Sequence, residues 1–168
     1  LEDGTIDLSK LPADTAYIVT ELECPGYIVD DAQRTIHLDG GEQAQFVFTN
    51  SKLPSLHLYK ESADGTPLGG VTYRLAKIED GSRYLDRTTS STGEICWEGL
   101  EPGVYSLIET STVSDHLLDT TEYHVELFPG QDSTVVLQND KRPNLTVVKR
   151  DADSGEPVAD TVFLVEGA

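Results

Sequence analysis

The chain is short of positive charge, of cysteine and of long apolar runs, and each shortage argues against a class of function. Twelve lysines and arginines stand against 30 aspartates and glutamates, for a formal net charge of -18. Affinity for nucleic acid comes mostly from lysine and arginine contacts to phosphate, so the balance argues against nucleic acid and against anionic lipid as partners. Only 2 cysteines occur, Cys24 and Cys96, with no CxxC pair, which indicates neither a disulfide framework nor a zinc cluster. No apolar stretch approaches the roughly 20 residues that cross a bilayer, so membrane insertion is not expected. The start carries no signal-peptide pattern, and the sequence reads as a mature segment or an excised fragment.

Catalytic and metal signatures are equally scarce. No glycine loop fit to cradle phosphate and no nucleophile elbow is present. The four histidines, His37, His57, His116 and His124, show no ligand spacing and read as surface strand positions. The run Asp151-Ala152-Asp153-Ser154-Gly155-Glu156 holds part of a calcium-loop series without completing it, and reads as a turn. The expectation is therefore no cofactor, no metal and no active site that turns over repeatedly.

What is present is short alternating segments punctuated by Gly, Pro, Asn and Asp, with hardly any stretch of helical period. The sequence also repeats itself. Asn50 to Lys60 aligns with Asn139 to Lys149 without a gap, at an offset of 89 residues. The same offset, within one residue, relates Gly4 to Gly93, Leu11 to Leu100, Tyr17 to Tyr105, Glu21 to Glu109, Pro67 to Pro157 and Tyr73 to Phe163. The chain then divides into residues 1–50, the later strands of one unit; a linker at 51–54; residues 55–139, one complete unit; a linker at 140–144; and residues 145–168, the first strands of a further unit. In the complete unit strands are expected near 55–61, 71–77, 83–88, 94–98, 103–110, 122–127 and 133–139. That number and spacing imply an all-β fold of immunoglobulin-like, prealbumin-like sandwich modules in tandem.

Strand parity puts three polar residues on apolar faces. In Ser55-Leu56-His57-Leu58-Tyr59-Lys60 the lysine shares a face with Leu56 and Leu58. Glu109 shares one with Tyr105 and Leu107, and Asn139 one with Val135 and Leu137. A lone charge buried among leucines is costly unless paired, neutralised or covalently consumed. Desolvation disfavours the charged form of an amine and of a carboxyl group alike, which leaves one a nucleophile and the other an acid. Lys60 could then attack the side-chain carbonyl of Asn139 while Glu109 polarises it, and ammonia would leave. A salt bridge or hydrogen-bonded triad without a covalent bond is the other reading of the same three residues.

The same residues carry a family resemblance. Leu56-His57-Leu58-Tyr59-Lys60, then Gly103-Val104-Tyr105-Ser106-Leu107-Ile108-Glu109-Thr110, then terminal Asn139, resembles the Cna protein B-type, or SpaA-like prealbumin-fold, domains of Gram-positive bacterial surface proteins and pilins. Tyr17, Glu21 and Pro25-Gly26-Tyr27 are similar to that family's signature, with Cys24 where alanine is usual. The central unit departs from it, with Ser111-Thr112-Val113-Ser114-Asp115-His116 in that loop. The resemblance implies a spontaneous intramolecular isopeptide bond from Lys60 to Asn139, with Glu109 as the catalytic acid. Glu21 and Asn50 are the equivalents in the first piece without a lysine, and Lys149 stands in the last piece without partners.

The function this implies is a structural stalk or shaft module of an adhesin or pilus at the bacterial cell surface or cell wall, outside the cell. A ligand-binding adhesin module that grips a host extracellular protein or glycan is an alternative, and so is a non-catalytic accessory domain of a secreted enzyme. Partners would be adjacent modules of the same protein. Residues 145–168 supply the strands that 1–50 lack, so strand complementation between chains, with Lys149 of one reaching Asn50 of the next, is a further expectation.

Overall fold

A computed structural model of the chain describes residues 4–29, 33–79, 81 and 86–167. Among these residues every regular element is a strand. The alternation of apolar and polar residues does produce β-structure, because each strand can lay one face on a core and leave the other to water.

The first piece forms a two-stranded hairpin of β1 (Thr15–Val19) and β2 (Arg34–Leu38), antiparallel, with Tyr17 opposite Ile36. The central sandwich holds the other seven strands. β3 (Ser55–Ser62), β6 (Glu94–Trp97) and β9 (Asp132–Asn139) make a three-stranded sheet in the order β6-β3-β9. β4 (Thr72–Lys77), β5 (Arg87–Thr88), β7 (Gly103–Ser111) and β8 (Glu122–Leu127) make a four-stranded sheet in the order β5-β4-β7-β8. The strand expected over 83–88 is the two residues of β5, and positions 83–85 lie outside the described residues.

The inward residues of the two sheets meet in one core. Leu56, Leu58, Ile95, Trp97 and Leu137 come from the smaller sheet, and Tyr73, Leu75, Tyr105, Leu107 and Leu127 from the larger. β3 is central in its sheet, antiparallel to β6 and parallel to β9. The first and last strands of the sandwich are therefore hydrogen-bonded neighbours running the same way, with Lys60 opposite Leu137 and Ser62 opposite Asn139.

The flanking pieces differ from that core. Residues 43–50, which the repeat aligns with β9, form no strand, and neither do residues 144–167. Leu145, Val162 and Leu164 are largely exposed, as are Ile6, Leu8 and Leu22 in the first piece.

Candidate cross-linking site

Lys60, Glu109 and Asn139 enter the core from three strands and two sheets. β3 delivers Lys60 and β9 delivers Asn139, two residues further along than Lys60's opposite number and on the same face. Such diagonal neighbours lie within reach of a long side chain. β7 delivers Glu109 from the facing sheet. The three residues are 1%, 3% and 2% exposed, in that order.

Glu109 is the hub. Lys60 Nζ lies 3.1 Å from its Oε2, within ion-pair distance. Tyr73 on β4 donates its hydroxyl to the same oxygen at 2.9 Å. Asn139 donates Nδ2 to the other oxygen, Oε1, at 2.8 Å, and also to Thr112 Oγ1 at 2.9 Å. Burial, then the charge of Glu109 and its hydrogen bond, push the Tyr73 hydroxyl well above the ordinary tyrosine pKa, so Tyr73 remains a donor at any working pH. The Tyr73 ring lies 5.5 Å from Lys60 Nζ, a cation–π contact. Asp119 approaches from the β7–β8 loop, its backbone N–H 3.4 Å from Glu109 Oε1. Burial works against its charge, yet hydrogen bonds from Thr121 and Tyr123 hold its carboxyl below the usual pKa.

The site is not fully satisfied. Among the described residues five buried side-chain polar atoms have no hydrogen-bond partner, and two of them are Lys60 Nζ and Asn139 Oδ1. Lys60 thus sits close to a carboxylate without a well-directed bond, and the carboxamide oxygen of Asn139 faces no donor. Two more of the five are Glu21 Oε2 and Asn50 Oδ1 in the first piece. There Asn50 Nδ2 donates to Glu21 Oε1 at 2.6 Å, the same pairing as Asn139 with Glu109. The structure therefore brings Glu21 to Asn50 and Lys60 to Glu109 and Asn139. It leaves Lys149 on the exposed last segment.

His116 corrects an expectation. Read as a surface position, it is 3% exposed. Its Nε2 lies 3.1 Å from Ser62 Oγ and its Nδ1 2.9 Å from Asp115 Oδ1. A histidine in a turn has no parity to betray its direction; the loop carrying it folds down across the ends of β3 and β9. Leu117 N donates to Asp140 O and Arg142 N to Asp115 O, so the loop straps the two ends that Lys60 and Asn139 occupy. The signal that could have found it is the repeat, which aligns His116 with Tyr27 of the Pro25-Gly26-Tyr27 turn.

Elsewhere the polar clusters have ordinary explanations. Asp151 Oδ1 accepts from Asp153 N, Ser154 N and Ser154 Oγ, which spends its lone pairs on a turn. Cys24 and Cys96 are free and half-buried. Asp14, His37 and Asp39 bring three exposed ligand atoms within 4.8 Å of one another at one end of the β1–β2 hairpin. No helix among the described residues is long and apolar enough to cross a membrane.

This fold and site geometry define a class. Residues 54–141, more than half of the chain, match the family described as SpaA, prealbumin-like fold domain, and the chain belongs to that family. Among solved structures, the TIE protein of Bacillus anthracis superposes with a TM-score of 0.53 at 22% identity, over 76% of this chain and 25% of that one. BcpA, the major pilin subunit of Bacillus cereus, superposes with a TM-score of 0.50 at 21% identity, over 54% of this chain and 29% of that one. At these identities the likeness is one of fold, and the chain spans less than a third of the length of either protein. No curated protein sequence matches it.

Proposed function

We propose that the chain is a structural segment of a Gram-positive surface protein, a stalk or pilus-like shaft outside the cell, built from tandem sandwich modules. In the module 55–139 the first and last strands are joined by an amide between Lys60 and Asn139. The observation that carries the reading is a buried lysine nitrogen that approaches Glu109 without a hydrogen bond, beside a buried Asn139 whose amide nitrogen rests on the same glutamate and whose carbonyl oxygen has no donor. The family membership and the pilin-like fold support the wider role.

The chemistry balances with the residues present. Glu109 takes a proton from the Lys60 ammonium, leaving a neutral amine. The amine attacks Asn139 Cγ, the Nζ–Cγ bond forms, and the carbonyl electron pair moves to Oδ1. Glu109 passes a proton to Nδ2, the Cγ–Nδ2 bond breaks, and ammonia departs as the carbonyl reforms. The new amide nitrogen passes its surplus proton to Glu109, which is left as a neutral carboxylic acid, and ammonia departs uncharged. Tyr73 holds Glu109 Oε2 in place throughout, and the sheet register supplies the proximity that makes an ordinary amine competent. The product is neutral, so the cost of burying the lysine charge disappears with the reaction.

The mechanical consequence follows from β3 and β9 being parallel neighbours. Tension applied at the two ends of the module passes through the amide before the ladder between these strands can peel apart. Adjacent modules are then the partners, and the site serves one reaction per molecule.

Intact mass tests this. The folded wild-type protein is expected to be one ammonia lighter than its sequence, and Lys60→Ala is expected to have the full mass of its own sequence. A wild-type chain at full mass would remove the covalent bond from the proposal while leaving the sandwich unchanged.

A further inference from the structure

The leaving nitrogen of Asn139 has a second partner that the chemistry above does not use. Nδ2 donates to Glu109 Oε1 at 2.8 Å and to Thr112 Oγ1 at 2.9 Å, so both of its hydrogens are committed. Among the described residues Oδ1 has no donor. Thr112 is half-buried and follows directly on the end of β7, on the strand that delivers Glu109.

Strict alternation would not put it there. Glu109 faces the core, so an unbroken strand would turn Ser111 inward and Thr112 outward. The pairing of β7 with β4 slips at this point: Tyr73 stands opposite Glu109 and Thr72 opposite Ser111, which leaves Thr110 as an extra residue. Thr110 Oγ1 donates to Thr72 O at 3.2 Å and fastens the bulge. A bulge re-aims the side chains that follow it. Ser111 is exposed as a result, and Thr112 returns to the side of Glu109.

We propose that Thr112 is a catalytic residue of the cross-linking reaction, its hydroxyl oxygen orienting the Asn139 carboxamide and stabilising the departing nitrogen. The role rests on the Lys60–Asn139 amide proposed above. Two acceptors fix the plane of the carboxamide, where one would let it pivot, and that plane decides whether Cγ shows its face to the attacking Lys60 Nζ. The second effect comes when Glu109 hands its proton to Nδ2. The nitrogen is then a cation with three hydrogens, and a hydrogen bond from an ionised donor is roughly twice as strong as one from a neutral donor. Thr112 Oγ1 thus holds the leaving group more tightly in the intermediate than in the resting amide, which is the kind of interaction that raises a rate. The oxygen only accepts. No proton passes through it, and the balance of the reaction is unchanged.

The rate of ammonia loss in freshly made protein tests this. The full chain is made by cell-free synthesis, samples are quenched in acidic denaturant at intervals, and intact mass gives the fraction that is one ammonia lighter. Thr112→Ala and Thr112→Val are expected to convert on the order of tenfold more slowly than the wild type, and Thr112→Ser to stay close to it. Packing alone would not give that order, since serine and alanine both lack the methyl group and valine fills the site better than serine. The fluorescence of the buried Trp97 in a Lys60→Ala background, where no amide can form, follows folding of each variant, and equal folding rates are expected. Alanine and valine variants that convert at the wild-type rate, or a serine variant as slow as alanine, would overturn the role of Thr112 and leave the cross-link standing. So would an alanine variant whose folding slows in proportion to its conversion. Wild-type protein at full mass at every time would overturn the cross-link itself, and the role of Thr112 with it.

Discussion

Lys60 Nζ stands 3.1 Å from Glu109 Oε2 with both side chains sealed from solvent, yet the approach does not make a directed hydrogen bond. Two charges in a sandwich core are expensive to desolvate, and their attraction repays that only when every proton and lone pair is matched. Here they are not. The proposed amide would remove the lysine charge and its unpaired donor together.

Glu109→Gln separates the chemistry from the packing. The amide side chain is close in shape, so the sandwich is expected to form, while the loss of ammonia is not. Intact mass should show the full mass of the variant's own sequence, and urea denaturation a protein that unfolds at lower denaturant than the cross-linked wild type, with the Lys60 charge left buried without a carboxylate.

Gly93→Ala should break the site from behind. Gly93 has φ +77°, and a Cβ there would fall 2.2 Å from the carbonyl oxygen of Lys60, whose N–H donates to Gly93 O at 2.7 Å. A left-handed alanine costs about 1–2 kcal/mol before any clash. Because the obstructing atom is the backbone of β3, Lys60 must shift. The expected result is a lower melting temperature and a fraction of molecules at full mass.

His116→Ala removes the buried link between the β7–β8 loop and Ser62. The loss of the contact, with Ser62 Oγ left unpaired, is expected to cost about 1–3 kcal/mol, and Ser62→Ala less. The double variant should cost less than the sum of the two, since both remove one contact. Chemical denaturation of the four proteins in a Lys60→Ala background keeps the amide from masking the difference.

Asp64 and Lys141 form an exposed pair at 2.7 Å between the turn after β3 and the segment after β9. The hydrogen bond with Lys141 holds the Asp64 carboxyl below its usual pKa, and that with Asp64 raises Lys141. A depressed carboxyl stabilises the fold above its unfolded pKa and loses that contribution as pH falls through the folded value. A raised lysine stabilises below its unfolded pKa and loses the contribution as pH rises through the folded value. The pair therefore acts between about pH 4 and 10. The gap in melting temperature between wild type and Asp64→Asn is expected to be widest near pH 7, to close toward pH 2, and to shrink in about 1 M salt.

Much of the central sandwich was legible because its strands are half-buried. Leu56, Leu58 and Lys60 alternate with His57, Tyr59 and Glu61, and the period of two alone assigns the lysine to the inner face. The same parity assigns Glu109 and Asn139. Two things were not legible. His116 sits in a loop, where no period reports direction. Tyr73 reads as one more core aromatic, and only the facing of the two sheets puts its hydroxyl on Glu109. The pairing of Glu21 with Asn50 was legible only through the repeat, and its contact spans residues 29 positions apart.

The sequence by itself determined the all-β class, the 89-residue repeat and the inward face of Lys60, since each depends on local alternation or on the chain's likeness to itself. The tertiary structure alone decided that β3 and β9 run side by side in parallel, that Glu109 reaches both Lys60 and Asn139 from the opposite sheet, and that Glu21 and Asn50, both half-buried, are hydrogen-bonded. Those facts are distances between residues far apart in the chain. Strand periodicity says which way a side chain points, and only the packing of two sheets says what it meets.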